Sequence, residues 1–360
     1  MFHARTAFIL GAGSSHEVGL PLGGTLAARI SSLVDFKFKE GYKMISGDAG
    51  LYSAIRRRFS STAHEYREAG TFIVSGIQLA DSIDDFLSLH QSDDKITLVG
   101  KLGIVRAILG EEQNSILYPS GRRQSIDFTR LNDSWFVKLL KMASRAVPKE
   151  QVDNLFSNVA FVNFNYDRCL EFFLWRGLQQ LYGIDARHAT EVVSRLRIFH
   201  PYGSVGPLKV DSTESGIEFG ATDVDWFEAA TRIKTYSEKV DEGEDLASIR
   251  EEIAKARLII FLGIHFHEQN IELITPTTKM TAENIFGTAL GFSDEDRSVV
   301  EDQLQVFLAK MYSEGVFLGS EDGPIRLRDL TCSQLFDRYS KTLPRPTALE
   351  PMTFPSSSTL

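Results

Sequence analysis

Cysteine is scarce in this chain, which has only Cys169 and Cys332 among its 360 residues. Two thiols cannot form a four-cysteine zinc site, and they indicate no framework of disulfides. Long apolar runs are missing as well, since none reaches the roughly 18 residues that a membrane-spanning helix needs. The opening segment MFHARTAFIL leads directly into a glycine turn and is too short for a signal peptide. These absences predict a soluble, cytoplasmic protein with no membrane partner.

Positive charge is also in deficit. The chain has 39 Lys and Arg residues against 48 Asp and Glu residues, and its formal net charge at pH 7 is −9. Because binding to nucleic-acid backbones generally needs a basic surface, direct nucleic-acid binding is not expected. Two short basic stretches, IRRRF at 55–59 and GRR at 121–123, are typical of solvated charges, with a local basic patch as the alternative.

What the sequence does contain is an alternation of apolar strands and amphipathic helices. This alternation predicts an α/β fold, a Rossmann-like parallel sheet with helices on both faces. The predicted strands lie in TAFIL (6–10), NVAFVNFNYD (158–167) and RLRIFHPYGSVG (195–206). IREEIAKARLIIFLG (249–263) is expected to be a helix that leads into a very apolar strand, and NIFGTALGFSDED (284–296) to be the final strand and a turn.

The domain organisation follows from the same patterns. Residues 1–300 are expected to form the main domain, with a helical insertion over about 30–150, where helical spacing is frequent and alternating strand patterns are not found. Residues 301–343 are expected to be a C-terminal helical segment. The remaining residues, 344–360, are rich in proline and serine, and we expect them to be disordered or to form an interaction arm.

The first strand runs into the glycine-rich loop FILGAGSSHEVGLPLG, and a helix is expected from about Pro21 to Val34. Gly11 and Gly13 match the first two glycines of the dinucleotide-binding fingerprint, but His16 occupies the third position. Glycines let a backbone approach a phosphate, and the N-terminus of a helix offers free N–H groups. The loop therefore predicts a phosphate site, with a tight turn that binds no ligand as the alternative.

Polar side chains follow the later strands, at the sheet edge where α/β proteins bind ligands. Asn165 ends one strand, and Asn163 is its rival because residues two apart share a face. Asp167 equally suits the cap of the next helix. His265 and His267 would share a face on a strand, which favours a metal site only weakly because no third ligand accompanies them.

In this order the motifs resemble those of sirtuin-like domains, in particular the bacterial branch that acts in anti-phage defence. The resemblance spans residues 5 to about 295, with the helical stretch inserted. It rests on Gly11-Ala12-Gly13-Ser14-Ser15 with Gly19-Leu20-Pro21, on Asn165-Tyr166-Asp167, on His200-Pro201-Tyr202-Gly203 and on Gly263.

The resemblance implies an NAD+ hydrolase that cleaves the nicotinamide–ribose bond, gives nicotinamide and ADP-ribose, and depletes NAD in an infected cell. NAD would be the substrate, and no further cofactor and no metal is expected. Deacetylases of the family carry a four-cysteine zinc module, which two cysteines exclude here. A non-catalytic NAD or ADP-ribose sensor in a defence complex is the first alternative, and an ADP-ribosyl or acyl transferase is the second.

The resemblance also implies roles for individual residues. Asn165 would hold the ribose hydroxyls or the attacking water, His200 would act as general base, and Asp167 would orient its neighbours. The family places its histidine directly before the glycine, where this chain has Tyr202, so His200 reaches the cleft only if the Pro–Tyr segment bulges. The nucleotide contacts are expected from Gly11, Ala12, Gly13, Ser14, Ser15, Pro21, Asn163, Tyr166, Tyr202, Gly203, Gly263, Asn270, Gly287 and Thr288.

The partners implied by the resemblance are copies of the chain itself and a sensor protein. An enzyme that destroys NAD must be silent until it is needed, so a homo-oligomer is expected. A companion ATPase of the HerA-like type, or another sensor, would then act as the trigger.

Overall fold

The computed structural model describes residues 2–40, 43–119, 125–209, 216–239, 244–309 and 324–344. The strands are β1 (Thr6–Leu10), β2 (Lys37–Lys39), β3 (Lys43–Ser46), β4 (Val159–Asn163), β5 (Arg197–Phe199), β6 (Leu258–Leu262), β7 (Asn284–Thr288) and β8 (Ile325–Arg328). The helices are α1 (Ala12–His16), α2 (Gly23–Val34), α3 (Ala49–Arg58), α4 (Ala63–Gly76), α5 (Ile83–Leu89), α6 (Asp94–Asn114), α7 (Trp135–Ala143), α8 (Cys169–Tyr182), α9 (Ala186–Ser194), α10 (Trp226–Thr231), α11 (Glu244–Lys255), α12 (Glu268–Ile274), α13 (Asp294–Ala309) and α14 (Cys332–Arg338).

Six of the strands form one sheet in the order β5-β4-β1-β6-β7-β8, and all the neighbouring pairs are parallel. Counted along the chain, the strands of this sheet lie in the order 3-2-1-4-5-6, which is the order of dinucleotide-binding sheets. The central strands β1, β4 and β6 are buried at every residue, as expected for parallel strands covered on both faces. The predicted α/β Rossmann-like fold is confirmed.

The sheet separates two hydrophobic cores. Side chains alternate across a strand, so Ile9 of β1 belongs to one core and its neighbour Phe8 belongs to the other. The core around Ile9 includes buried residues of α2, α4, α5 and α6 on one face of the sheet. The core around Phe8 includes α7, α8 and α14 on the other face. Helices therefore cover both faces of the sheet.

The insertion between β1 and β4 is mostly helical, and its centre is the 21-residue helix α6. Helices α2, α4 and α10 pack around α6. The insertion also contains an unpredicted antiparallel hairpin of β2 and β3, which is short and lysine-rich on its outer face. The basic residues of the IRRRF stretch form the exposed last turn of α3, whereas the GRR stretch at 121–123 lies outside the described residues.

The C-terminal part of the chain completes the sheet. β7 was predicted to be the final strand, and this is wrong, because β8 pairs with β7 in parallel. The sequence Ile-Arg-Leu-Arg of β8 contains too few apolar residues to resemble the buried strands, and it forms an edge of the sheet. Helix α14 packs against α7. The predicted tail lies outside the described residues from 345 onwards.

None of the helices in the described ranges combines the length and the apolar composition that crossing a bilayer requires.

Candidate functional site

A cavity of about 720 Å³ lies at the carboxyl ends of β1, β4 and β6. The loops that follow these three strands all contribute to its wall, and the start of α5 contributes from the insertion. The order of the strands reverses between β1 and β6, and open α/β sheets bind ligands in the crevice at that point. The fold alone therefore selects this cavity as the candidate site.

The glycines of the first loop join it to the loop after β6. The N–H of Gly13 donates to the carbonyl of Gly263 at 2.9 Å. A Cβ on Gly13 would lie 2.7 Å from Cα of Gly263, and one on Gly263 would lie 2.2 Å from the nitrogen of Ser14. Gly263 also has a φ of 61°, which disfavours any side chain. These glycines are required by contact between two backbones, whether or not a phosphate binds beside them.

The position of His16 explains the incomplete fingerprint. Helix α1 ends at His16 after five residues, and Nδ1 of His16 donates to the carbonyl of Leu20 at 2.9 Å. The third glycine of the fingerprint allows a long helix to pack closely on the first strand. Here the chain turns away before α2 begins, so His16 is exposed and no such packing occurs at its position.

Replacing Gly263 with alanine is expected to lower the free energy of unfolding by about 2–3 kcal/mol, because the new methyl group meets backbone atoms in a left-handed conformation. Gly24 is the matched control, since it also lines the cavity but has open space around an added Cβ. Gly24→Ala lies in the first turn of α2 and should leave stability unchanged or raise it slightly. Urea unfolding of both variants tests this expectation, and equal effects would contradict it.

Asn165 lies in the wall of the cavity, with its side-chain amide fixed against the glycine loop. Its Nδ2 donates to the carbonyl of Gly11 at 3.0 Å and contacts the hydroxyl oxygens of Ser15 at 3.1 Å and Ser14 at 3.3 Å. Its backbone N–H donates to Oδ1 of Asn163, which is buried beneath it. Within the described ranges, no protein group donates to Oδ1 of Asn165. That oxygen is the acceptor that remains for a ligand.

Asp167 also lies in the cavity wall, although it is almost completely buried. Burial raises the pKa of its carboxyl, against the lowering effect of hydrogen bonds from the backbone of Cys169 and the side chain of Ser15. Its Oδ1 accepts from the Cys169 N–H at 3.0 Å, at the start of α8. Asp167 therefore holds the first N–H of α8, whose N-cap is Arg168, and it also lines the cavity.

His200 lies outside the cavity wall, because the Pro–Tyr segment does not bring it there. Its Nδ1 lies 3.0 Å from the carbonyl oxygen of Asn165, and its Nε2 lies 2.8 Å from Oε1 of Glu171. Burial by itself lowers the pKa of His200, but the charge and hydrogen bond of Glu171 outweigh it, so the net shift is upward. Tyr202 takes the place in the cavity wall, and its hydroxyl donates to Asn270.

The structure brings most of the predicted residues together around this cavity. Those in its wall are Ala12, Gly13, Ser15, Pro21, Asn165, Tyr166, Asp167, Tyr202, Gly263, Asn270 and Thr288. Gly11, Ser14, Asn163, His200, Gly203 and Gly287 are not in the wall. Gly203 packs against the backbone of Arg232, and Gly287 packs against the side chain of Leu327, which accounts for both glycines without a ligand.

Four carboxylates of the cavity were missed by the sequence analysis, namely those of Glu17, Asp81, Asp84 and Asp85. Asp84 accepts from the hydroxyl of Tyr166, which ties the insertion to the end of β4. The cavity wall in the described part of the chain contains no Lys or Arg. Ser82 caps α5 through the backbone N–H of Asp85, a pattern visible in the sequence, but nothing in the sequence places this helix start at the sheet edge.

Glu17 holds two helices over the glycine loop. Its Oε2 accepts from the backbone N–H of Trp135 at 2.9 Å, and its Oε1 accepts from that of Ser333 at 2.7 Å. These N–H groups belong to the first turns of α7 and α14, where a negative charge is favourable. Burial nevertheless raises the pKa of Glu17. The segment after β8 therefore helps to build the cavity.

The two histidines after β6 lie in a loop rather than on a strand, which corrects the geometry assumed for them. His265 and His267 both line the cavity, and their ring centroids are 5.7 Å apart. Phe266 between them has a φ of 54°, so the loop bends at this point. Across the described ranges, no group of three His, Cys, Asp or Glu side chains is arranged to hold a metal ion.

Comparison of the chain with models of known protein families, with curated proteins and with solved structures finds no match. Function is therefore inferred from the geometry of the cavity and from the sequence motifs.

Proposed function

We propose that the chain binds NAD+ in the cavity at the carboxyl edge of the sheet and hydrolyses the bond between nicotinamide and ribose. The observation that carries this proposal is the position of the cavity, at the reversal of a 3-2-1-4-5-6 sheet and beside a glycine-rich loop. A cavity of about 720 Å³ lies within the range of small-molecule and cofactor sites. The motifs that resemble sirtuin-like domains meet at this same edge.

The charge of the cavity wall supports cleavage of the oxidised dinucleotide. The nicotinamide ring of NAD+ carries a positive charge, and breaking its bond to ribose develops oxocarbenium character on the sugar. The carboxylates of Asp84, Asp85 and Asp167 would stabilise both charges. No cationic side chain lines the described wall, so the pyrophosphate would lie beside the glycine loop and depend on backbone N–H groups. Those of Gly11, Gly13 and Ser14 already donate to carbonyls of the protein, so other N–H groups of the wall would have to serve.

Hydrolysis at this site needs an acceptor for the ribose, an attacking water and a proton acceptor. Oδ1 of Asn165 is suited to accept a hydrogen bond from a ribose hydroxyl. The water oxygen bonds to C1′ as the C1′–N bond breaks. The electron pair of the C1′–N bond leaves with nicotinamide. Asp167 is suited to take the proton of the water, because its burial in the wall raises the pKa of its carboxyl. The products are nicotinamide, ADP-ribose and one proton.

Chromatographic measurement of nicotinamide released from NAD+ tests this proposal. Release by the wild-type protein supports hydrolysis. Binding of NAD+ or ADP-ribose without release favours the second candidate, a non-catalytic sensor, for which the position of His200 outside the cavity is the specific support.

We propose depletion of NAD in anti-phage defence as the cellular role, with oligomerisation or a companion ATPase as the trigger. The assay is therefore run with the protein alone and with the product of a neighbouring gene.

The acidic wall also predicts how the ligand is selected. The double variant Asp84→Asn, Asp85→Asn keeps the shape of the wall and removes two charges, so the affinity for NAD+ should fall roughly 5- to 10-fold. The affinity for ADP-ribose, which has no pyridinium, should stay equal or rise. Asp94→Asn is the matched control, because Asp94 begins α6 and is exposed outside the cavity. Titration calorimetry with both ligands measures the change, and a parallel loss of both affinities would contradict it.

A further inference from the structure

Asn165 is held from three directions. Its backbone N–H donates to Asn163, and its side-chain amide donates to the glycine loop. Its backbone carbonyl lies 3.0 Å from Nδ1 of His200. These contacts hold the backbone and the side-chain amide of Asn165, and they thereby determine the direction of Oδ1. A residue held in this way keeps one orientation, which is what a ligand-binding group needs.

The contacts of His200 determine how many protons its pair with Glu171 carries. A carbonyl oxygen only accepts, so Nδ1 must hold a proton to bond with Asn165. The second nitrogen, Nε2, lies 2.8 Å from Oε1 of Glu171, and a hydrogen bond there needs another proton. The pair therefore holds two protons when both bonds are made. In the described part of the chain, the other oxygen of Glu171, Oε2, is buried and accepts no hydrogen bond.

We propose that His200 and Glu171 are positioning residues, which hold Asn165 in its ligand-binding orientation through its backbone carbonyl. This inference rests on the proposed function of Asn165 and assigns His200 a role outside the cavity. Glu171, which no motif in the sequence singled out, becomes part of the site. The imidazole of His200 contacts the backbone carbonyl of Asn165, and in this role it transfers no proton to the substrate.

The pair should also make the site sensitive to pH. Among the described residues, the charged groups that act on His200 are Glu171 of α8 and Asp167 of the loop before it. Together they raise the pKa of His200 above its ordinary value of 6.5 despite burial. The stabilisation from the pair is therefore complete below pH 6.5 and is lost as the pH rises through the raised pKa.

Replacing His200 with asparagine separates positioning from base catalysis. Nδ2 of an asparagine is as many bonds from Cα as Nδ1 of histidine, so His200→Asn keeps the donor to the carbonyl of Asn165 and removes the titrating ring. His200→Ala removes both. A positioning role predicts that kcat falls roughly 10- to 100-fold in His200→Ala. It also predicts that His200→Asn recovers most of the activity and loses the decline at high pH. Equal inactivity of the two variants would instead identify His200 as the base and overturn the inference.

His188 provides a matched control, because it forms a histidine–carboxylate pair with Asp153 at 3.3 Å on the surface. His188→Asn should leave both kcat and the pH profile unchanged. Glu171→Gln should shift the decline of the wild-type pH profile to lower pH, because it removes the charge that favours the imidazolium. An unshifted decline in Glu171→Gln would contradict a role for the pair.

A spectroscopic readout keeps the inference testable if no NAD+ is cleaved. In the wild-type protein, the side-chain amide resonances of Asn165 should move with pH in step with the ring nitrogens of His200. His200→Asn should remove this coupling, and His188→Asn should keep it. Absence of release together with coupled resonances would reject hydrolysis and keep the positioning role. Uncoupled resonances would reject the positioning role whether or not NAD+ is cleaved.

Discussion

Replacing Asn165 with alanine is expected to reduce nicotinamide release from NAD+ by about 10²–10³-fold, the usual effect of removing one fixed polar group from a catalytic site. The variant loses Oδ1, the acceptor in the cavity wall for which the described chain provides no donor. It also loses the donor to the carbonyl of Gly11, so the glycine loop is less firmly held. In the proposed binding mode, the first effect acts on the ribose, and the second acts on the loop that lies beside the pyrophosphate.

One further variant separates these effects, and a second variant is the control. Asn165→Asp keeps an oxygen in place of Oδ1 but has no N–H for Gly11, so it should share the weakened loop and retain more ribose contact. Asn154→Ala is the control, because Asn154 is exposed before β4 and outside the cavity. The assay is the chromatographic release of nicotinamide, with affinity for ADP-ribose measured in parallel. Release by Asn165→Ala at the wild-type rate would exclude Asn165 from the chemistry.

The strands of the central sheet were predictable because their sequences leave few alternatives. TAFIL, NVAFVN and LIIFL are short apolar runs that end at glycine or asparagine. They contain β1, β4 and β6, respectively. The helix expected from about Pro21 to Val34 corresponds to α2, which begins at Gly23. By contrast, the β2–β3 hairpin and β8 were missed. Both consist of charged residues alternating with one or two apolar ones, and only pairing with a neighbouring strand makes them strands.

The site was predictable where its residues directly follow a strand. Asn165, Asp167 and Gly263 were found in this way, because a parallel sheet gathers the ends of its strands at one edge. The carboxylates of Glu17 and of the start of α5 were missed, because their positions depend on how the insertion packs on the sheet. His200 was assigned by its spacing to a glycine. The orientation of its ring, toward Glu171 and away from the cavity, depends on a contact across 29 residues of sequence.

The two glycines of the first loop have a wider consequence for interpreting such motifs. Gly11 and Gly13 occur where a phosphate-binding loop has them, and both are also required by contact with Gly263. A glycine pattern can therefore identify the edge of a sheet where ligands bind without identifying the ligand.

The largest loss of stability is expected at Arg168, directly after Asp167 in the sequence. Arg168 and Glu112 form an ion pair at 2.5 Å, with side chains only 2% and 0% exposed. Replacing Arg168 with methionine leaves the carboxylate of Glu112 buried without its partner, which typically costs about 3–5 kcal/mol. The guanidinium also donates to the carbonyls of Ile217 and Glu218, so this loop loses two bonds as well. Urea unfolding followed by circular dichroism measures the change.

Removing both charges tests whether the loss comes from the unpaired carboxylate. The double variant Arg168→Met, Glu112→Leu should recover much of the stability, because apolar side chains of similar size tolerate the site better than one isolated charge. The recovery should be incomplete, since Gly220 N–H donates to Glu112 at 2.9 Å and loses its acceptor. Arg187→Met is the control, because Arg187 pairs with Glu191 on the surface and should contribute less than about 0.5 kcal/mol. A double variant as unstable as Arg168→Met would contradict this account. The bonds of Arg168 to the carbonyls of Ile217 and Glu218, rather than the charge of Glu112, would then hold α6, α8 and residues 217–220 together.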